Sequence, residues 1–221
     1  MKLNYKLSKR DSSSPWLILI HGLFGNADNL AVVKRHFESA YNIVSVDLPD
    51  HGESPWTDSF SMSDAADAIY DIMQSLNIEK SAVLGHSLGG KVAMKLALNH
   101  NENITQLIVA DIAPVSYEHS HQTVFDGLNS VSLDTIESRK DAEKQMTAHV
   151  KEMGVRQFLL KSLYQDENGA WKWRFNVSGL MKSYSHIIDW EQTNQTFDGV
   201  TLFIKGSESD YITSAYRDAI A

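Results

Sequence analysis

The sequence predicts an α/β fold: a mainly parallel sheet with helices on both faces and an inserted, mainly helical lid. Three observations predict it. Short β-branched and apolar runs at 16–20, 42–46, 81–85 and 105–110 alternate with helical patterns near 29–38, 63–76 and 88–100. That alternation is what strands joined by crossover helices look like. From about 116 to 195 the alternation stops and helical spacing takes over. It resumes at Val200-Thr-Leu-Phe-Ile204, followed by Gly206, so the interruption reads as an insertion into one sheet. The expected division is 1–115 for the first part of the core, 116–195 for the lid and 196–221 for the second part of the core.

Taken in order, an opening edge strand is expected near 3–8. The run Leu17-Ile-Leu-Ile20 is a buried strand that ends in a His21-Gly22 turn. The next apolar run, Ile43-Val-Ser-Val46, again ends in a polar glycine turn, Asp50-His-Gly52. Ser63 is the expected N-cap of the following helix, where Ala66, Ile69, Tyr70, Met73 and Leu76 keep helical spacing. The strand at 105–110 ends at Asp111, and Ala113-Pro114 breaks the pattern. Within the insertion, 139–150 and 155–164 have helical spacing. Asn168-Gly169 is a hairpin turn signal, and Trp171, Trp173 and Phe175 alternate as one face of a strand would.

Composition bounds the function. A chain of 221 residues with 43% hydrophobic content can bury one good core and carry a small lid. A net charge of −8 repels nucleic-acid phosphates and anionic lipid surfaces. Cysteine is absent, which excludes disulfides. The opening Met-Lys-Leu-Asn-Tyr-Lys-Leu lacks the apolar stretch of a secretion signal, and no segment approaches the ~18 apolar residues of a membrane span. The expected setting is the cytoplasm, with no required protein partner. There is no glycine-rich dinucleotide turn and no phosphate-cradling Gly-Lys-Ser/Thr, so no cofactor is expected. His119 and His121 have the spacing of a metal-binding pair but read as solvated, and no metal site is expected.

The most informative segment is Ser81-Ala-Val-Leu-Gly-His-Ser-Leu-Gly-Gly-Lys91. A serine between glycines after a short strand sits on a tight strand-to-helix turn, its hydroxyl clear of the backbone and able to attack a carbonyl. Ser87 is therefore the candidate nucleophile. The backbone N–H of Leu88, where the helix begins, and that of Leu23, after His21-Gly22, are the candidate oxyanion donors. Phe24 is a lesser candidate donor and a candidate lining of a substrate pocket.

These three strand-then-loop units, in this order and spacing, resemble the α/β-hydrolase family over nearly the whole chain. Val109-Ala-Asp-Ile-Ala-Pro114 and Trp173-Arg-Phe-Asn-Val177 resemble its bacterial acyl-ester and acyl-CoA esterase subgroup. The resemblance implies a triad acid in one of two places. In the subgroup the acid lies on the Asp-Ile-Ala-Pro segment, here Asp111. Many family members instead carry it three residues after the glycine that follows the later strand; Ser209 occupies that position here and Asp210 falls one residue late. Asp111 is preferred, since strand ends are where such sheets place function.

No histidine suits the base. His21 and His51 sit in turn motifs, the side chain of His86 is expected to point away, and His36, His100, His149 and His186 fall on expected helices or lid surface without acidic company in sequence. The resemblance implies a base after one more strand and helix, so the expectation is a catalytic histidine beyond Ala221. The reading is a serine-dependent carboxylic ester hydrolase, of esterase or acyl-CoA thioesterase type, acting on a small-molecule ester or thioester through an acyl-enzyme on Ser87. The alternatives are a C–C bond hydrolase or lyase on the same fold, and a non-catalytic ligand-binding homologue without the base.

Overall fold

The structure is a computed structural model and describes residues 1–118 and 121–220. The core strands are β1 (Tyr5–Ser8), β2 (Trp16–Ile20), β3 (Asn42–Val46), β4 (Ser81–His86), β5 (Ile104–Ala110) and, after the insertion, β8 (Val200–Ile204). They form one six-stranded sheet in the order β1-β3-β2-β4-β5-β8. Only β1 runs antiparallel to its neighbour. Helices α1 (Ala31–Phe37), α2 (Met62–Ser75) and α3 (Leu88–Asn99) are the crossovers. The strands read as continuous apolar runs because both faces are covered. Ile18, Ile20, Val44, Val46 and Val83 face the larger core, whereas Leu17, Leu19, Ile43, Ala82 and Leu84 pack against Leu30, Val33 and Phe37 beside α1. Edge strand β8 leaves Val200, Leu202 and Ile204 exposed.

Between β5 and β8 lie α4 (Gln122–Asn129), α5 (Arg139–Met146), α6 (Met153–Leu160), the hairpin β6 (Leu163–Gln165) and β7 (Trp171–Trp173), then α7 (Val177–Lys182) and α8 (Tyr184–Ile188). A short helix α9 (Arg217–Ile220) follows β8. Several local expectations shift. The N-cap of α2 is Ser61, whose hydroxyl accepts the Asp64 N–H, so the helix starts before Ser63. The pattern at 155–164 splits, because Leu163 and Tyr164 pair with Trp173 and Lys172 as strand. Phe175 leaves the hairpin to bridge His51, which ties the insertion to the second glycine turn. Helices α7 and α8 carry too little periodicity to stand out in sequence. Asn176 starts α7 by accepting the Gly179 N–H.

Candidate active site

Strands β4 and β5 end side by side, with His86 opposite Ala110 in register. One residue further, both chains turn sharply: Ser87 has φ +53 and Asp111 has φ +59. Non-glycine residues avoid this region, and such strain collects where surrounding structure overdetermines the backbone. For Ser87 the determinants are plain. Its N–H donates to Ala110 O at 2.9 Å, and its carbonyl accepts from Gly90 N and Lys91 N as α3 begins. A Cβ at Gly85 would lie 2.1 Å from Gly89 O, and one at Gly89 would lie 2.3 Å from His21 O. The two glycines let the helix start press against the preceding strands, and this pushes the serine outward.

Asp111 is held at the same level. Its N–H donates to Ile204 O at 2.7 Å, and its carboxylate accepts the Gly206 N–H at 3.1 Å. Its charge reaches His86, whose imidazole is pushed down by burial and partly restored by that carboxylate. Asp210 is exposed on the loop after β8, and among the described residues its carboxylate takes no hydrogen bond.

The candidate oxyanion donors lie where the turn motifs put them. Leu23, Ser87 and Leu88 line one cavity. Leu88 is the first residue of α3, so its N–H has no intrahelical acceptor. Among the described residues no protein group accepts the N–H of Leu23 or Leu88. Phe24 differs: its N–H donates to His51 Nε2 at 3.1 Å, so it is not an open donor, and its buried ring lines a second cavity beside Ser87.

The His-Gly turns are built by their histidines. His21 Nε2 accepts the Leu48 N–H at 3.0 Å while Nδ1 meets Gly22 O at 2.7 Å; His51 Nδ1 meets Pro49 O at 2.8 Å. Burial lowers His21 to about 4 and His51 to about 3. Both are therefore neutral at pH 7, each donating through Nδ1 and accepting through Nε2. The Asp47 carboxylate accepts from Ala27 N, Glu53 N and Asn4 Nδ2, joining the two turns to the residue just before β1.

The other side of the site comes from residues that sequence reading passes over. His121 is not solvated: it is half-buried, lines both cavities with Ser87, and its Nδ1 meets the Tyr184 hydroxyl. His119 lies outside the described residues. Lys91, one turn beyond Ser87, is 1% exposed, and its ammonium donates to Ile188 O and Asp189 O at 2.7 Å each. Tyr117 packs its ring 4.9 Å from that ammonium and donates its hydroxyl to Tyr211 O at 2.5 Å. Burial raises Tyr117 and Tyr184 to about 12, so both remain hydroxyl donors at neutral pH. A lysine in the otherwise small and apolar run Leu88-Gly-Gly-Lys-Val-Ala-Met is the one available signal for this wall. Among the described residues no group of three or more His, Cys, Asp or Glu is placed to hold a metal ion. No described helix is long and apolar enough to cross a membrane.

This arrangement is matched elsewhere. The family described as alpha/beta hydrolase fold matches residues 15–146. Esterase YbfF of Escherichia coli is 38% identical over 99% of this chain and 85% of its own length. The chain belongs to the α/β-hydrolase family. A second relative of this α/β-hydrolase, the mouse sn-1-specific diacylglycerol lipase ABHD11, is 32% identical over the whole chain and 74% of its own length. A solved marine microorganism esterase superposes with a TM-score of 0.92 at 30% identity, covering 97% of this chain and 84% of that one. The strained serine of this α/β-hydrolase thus stands on a framework shared with proteins named for ester chemistry.

Proposed function

We propose that this protein is a carboxylic ester hydrolase that works through an acyl-enzyme on Ser87. The observation that carries the reading is the strained turn at Ser87, which opens onto a cavity shared with Leu23 and Leu88, two residues whose N–H groups no described protein group claims. The hydroxyl attacks the acyl carbon, and the carbonyl oxygen takes up negative charge. The Leu23 and Leu88 N–H groups then stabilise that charge, each worth about 2.7–4 kcal/mol in the transition state. The tetrahedral intermediate collapses and expels the alcohol, which takes the proton the base accepted from Ser87; water then releases the acid from the acyl-enzyme and restores the Ser87 hydroxyl.

In this reading Asp111 orients the imidazole that takes the serine proton. Its carboxylate sits at the end of the strand beside β4, on Ser87's level. Among the described residues no hydrogen bond joins a histidine to the Ser87 hydroxyl or to the Asp111 carboxylate. The mechanism is complete when an imidazole reaches both. The named activities of the relatives, esterase and diacylglycerol lipase, support esters as the substrate class, and acyl thioesters are the next class to assay.

The test is covalent. A fluorophosphonate probe is expected to label the full-length protein at Ser87 and to leave Ser87→Ala unlabelled, with ester hydrolysis falling by about 10⁶ in the variant. Absence of labelling in the wild type would instead favour a ligand-binding protein. Labelling without turnover of esters or thioesters would point to the C–C bond reading.

A further inference from the structure

We propose that the two cavities meeting at Ser87 make this enzyme selective for asymmetric esters, with one limb short and the other long, and that Lys91 sets the short side. This rests on the esterase reading above. Both cavities include Leu23, Ser87 and His121. From there they differ by an order of magnitude. One, walled by Lys91, Ile112, Tyr117, Ile187, Ile188 and Tyr211, measures about 40 Å³. The other, walled by Phe24, Val124, Val155, Phe158 and Leu159, measures about 450 Å³. The smaller falls well short of the usual range for small-molecule sites. The larger lies within the usual range for small-molecule sites, roughly 300–1,000 Å³. With its carbonyl oxygen at the Leu23 and Leu88 N–H groups, which also face the small cavity, a trigonal ester carbon at Ser87 sends its two limbs apart, and the shorter one takes the Lys91 side.

That cavity is small because its walls are tied together. Lys91 comes from α3, Tyr117 from the loop after β5, Ile188 from α8 and Tyr211 from the loop after β8. The Lys91 ammonium donates to the carbonyls of Ile188 and Asp189, where the insertion returns to the core. Ile188 O also accepts the Tyr117 N–H at 3.0 Å, and the Tyr117 hydroxyl reaches both Ala113 N and Tyr211 O. One turn further along α3, Lys95 repeats the pattern, lying 5.1 Å over the Trp190 ring and 3.4 Å from Glu191. A buried ammonium is costly unless hydrogen-bonded, so lysine and lid exit hold each other in place. An alanine at 91 removes both the tie and part of the wall. Lys91 is thus a positioning residue: it fixes the volume on one side of the reacting carbon.

Three isomeric esters test this with carbon count and polarity matched: decyl acetate, ethyl decanoate and hexyl hexanoate, compared by kcat/KM on the full-length protein. Hexyl hexanoate is expected to be roughly tenfold or more slower than the faster of the other two, and which of those two leads identifies the limb that enters the small cavity. Lys91→Ala is expected to close most of that gap. Ile188→Ala, which widens the same cavity from the lid and leaves the ammonium in place, gives the same readout should Lys91→Ala fail to fold. Equal turnover of the three isomers overturns the inference while leaving the esterase reading standing. So does a wild-type ratio retained in both variants. Neither labelling of Ser87 nor turnover of any isomer overturns both.

Discussion

The two walls around Ser87 are held by opposite kinds of buried group. On the core side, the turns carrying Leu23 and Phe24 are fixed by neutral imidazoles and one carboxylate that accept backbone N–H groups. On the lid side, an ammonium and the Tyr117 hydroxyl donate to backbone carbonyls. The core ties link residues about 20 to 27 positions apart, whereas Lys91 reaches across 97 and 98. The core wall is thus built from local turn chemistry and the lid wall from long-range donors. They should fail under different conditions: the first when its acceptors are protonated, the second when its donors are removed.

After the loss of Ser87 itself, the largest expected effect lies at the seam between the walls. Asp111 leaves β5 level with Ser87, and its carboxylate is held only by Gly206 N among the described residues. Asp111→Asn keeps the shape and removes the charge that would orient an imidazole. Loss of that role in a serine triad costs about 10⁴ in kcat. Asp210→Asn, on an exposed loop, should stay close to wild type. Measuring kcat for both variants decides between the two acids, and a larger loss at Asp210 would reverse the assignment.

Next in size is the acid sensitivity of the core wall. In the folded state burial holds His21 near 4 and His51 near 3, whereas in the unfolded chain both sit near 6.5. As pH falls below 6.5 the unfolded chain takes up protons that the native state refuses, so stability declines until the folded values are reached. Over the two pH units below 6.5 the two groups together should remove about 5 kcal/mol. Urea unfolding at pH 6.5 and 4.5 measures this. His51→Gln should roughly halve the slope; an unchanged slope would mean that the imidazoles are not buried neutral.

How much of this was legible follows the same division. The strands, the serine turn and the His-Gly turns are local patterns; Leu23, Ser87 and Leu88 line one cavity, whereas the Phe24 N–H is taken by His51. The α2 N-cap moved from Ser63 to Ser61 because two serines compete within one turn and only Ser61 holds extended dihedrals. The lid side was opaque. His121 reads as a polar residue in a polar stretch, and its contact at the site is with Tyr184, 63 positions on. Nor does anything near Lys91 announce the carbonyls that take its charge. A contact made across the insertion leaves no periodicity to read.

The smallest expected effect tests the lid wall directly. Burial lowers the Lys91 ammonium from 10.5 to about 8. Below about 8 it is charged in both folded and unfolded chains, so its burial cost does not vary with pH. Between about 8 and 10.5 the unfolded chain still binds the proton and the folded chain does not, so stability attributable to this lysine rises with pH. Comparison with Lys91→Met cancels the other titrating groups, Tyr117 among them, since it stays protonated up to about 12. The difference in unfolding free energy should be flat from pH 6 to 8, then move toward the wild type by up to about 3 kcal/mol by pH 10.5. The neutral amine keeps two N–H groups, enough for both carbonyls, so the clasp survives the loss of charge. A difference that stays flat across that range would place the ammonium in solvent, and the small cavity would lose the wall that defines it.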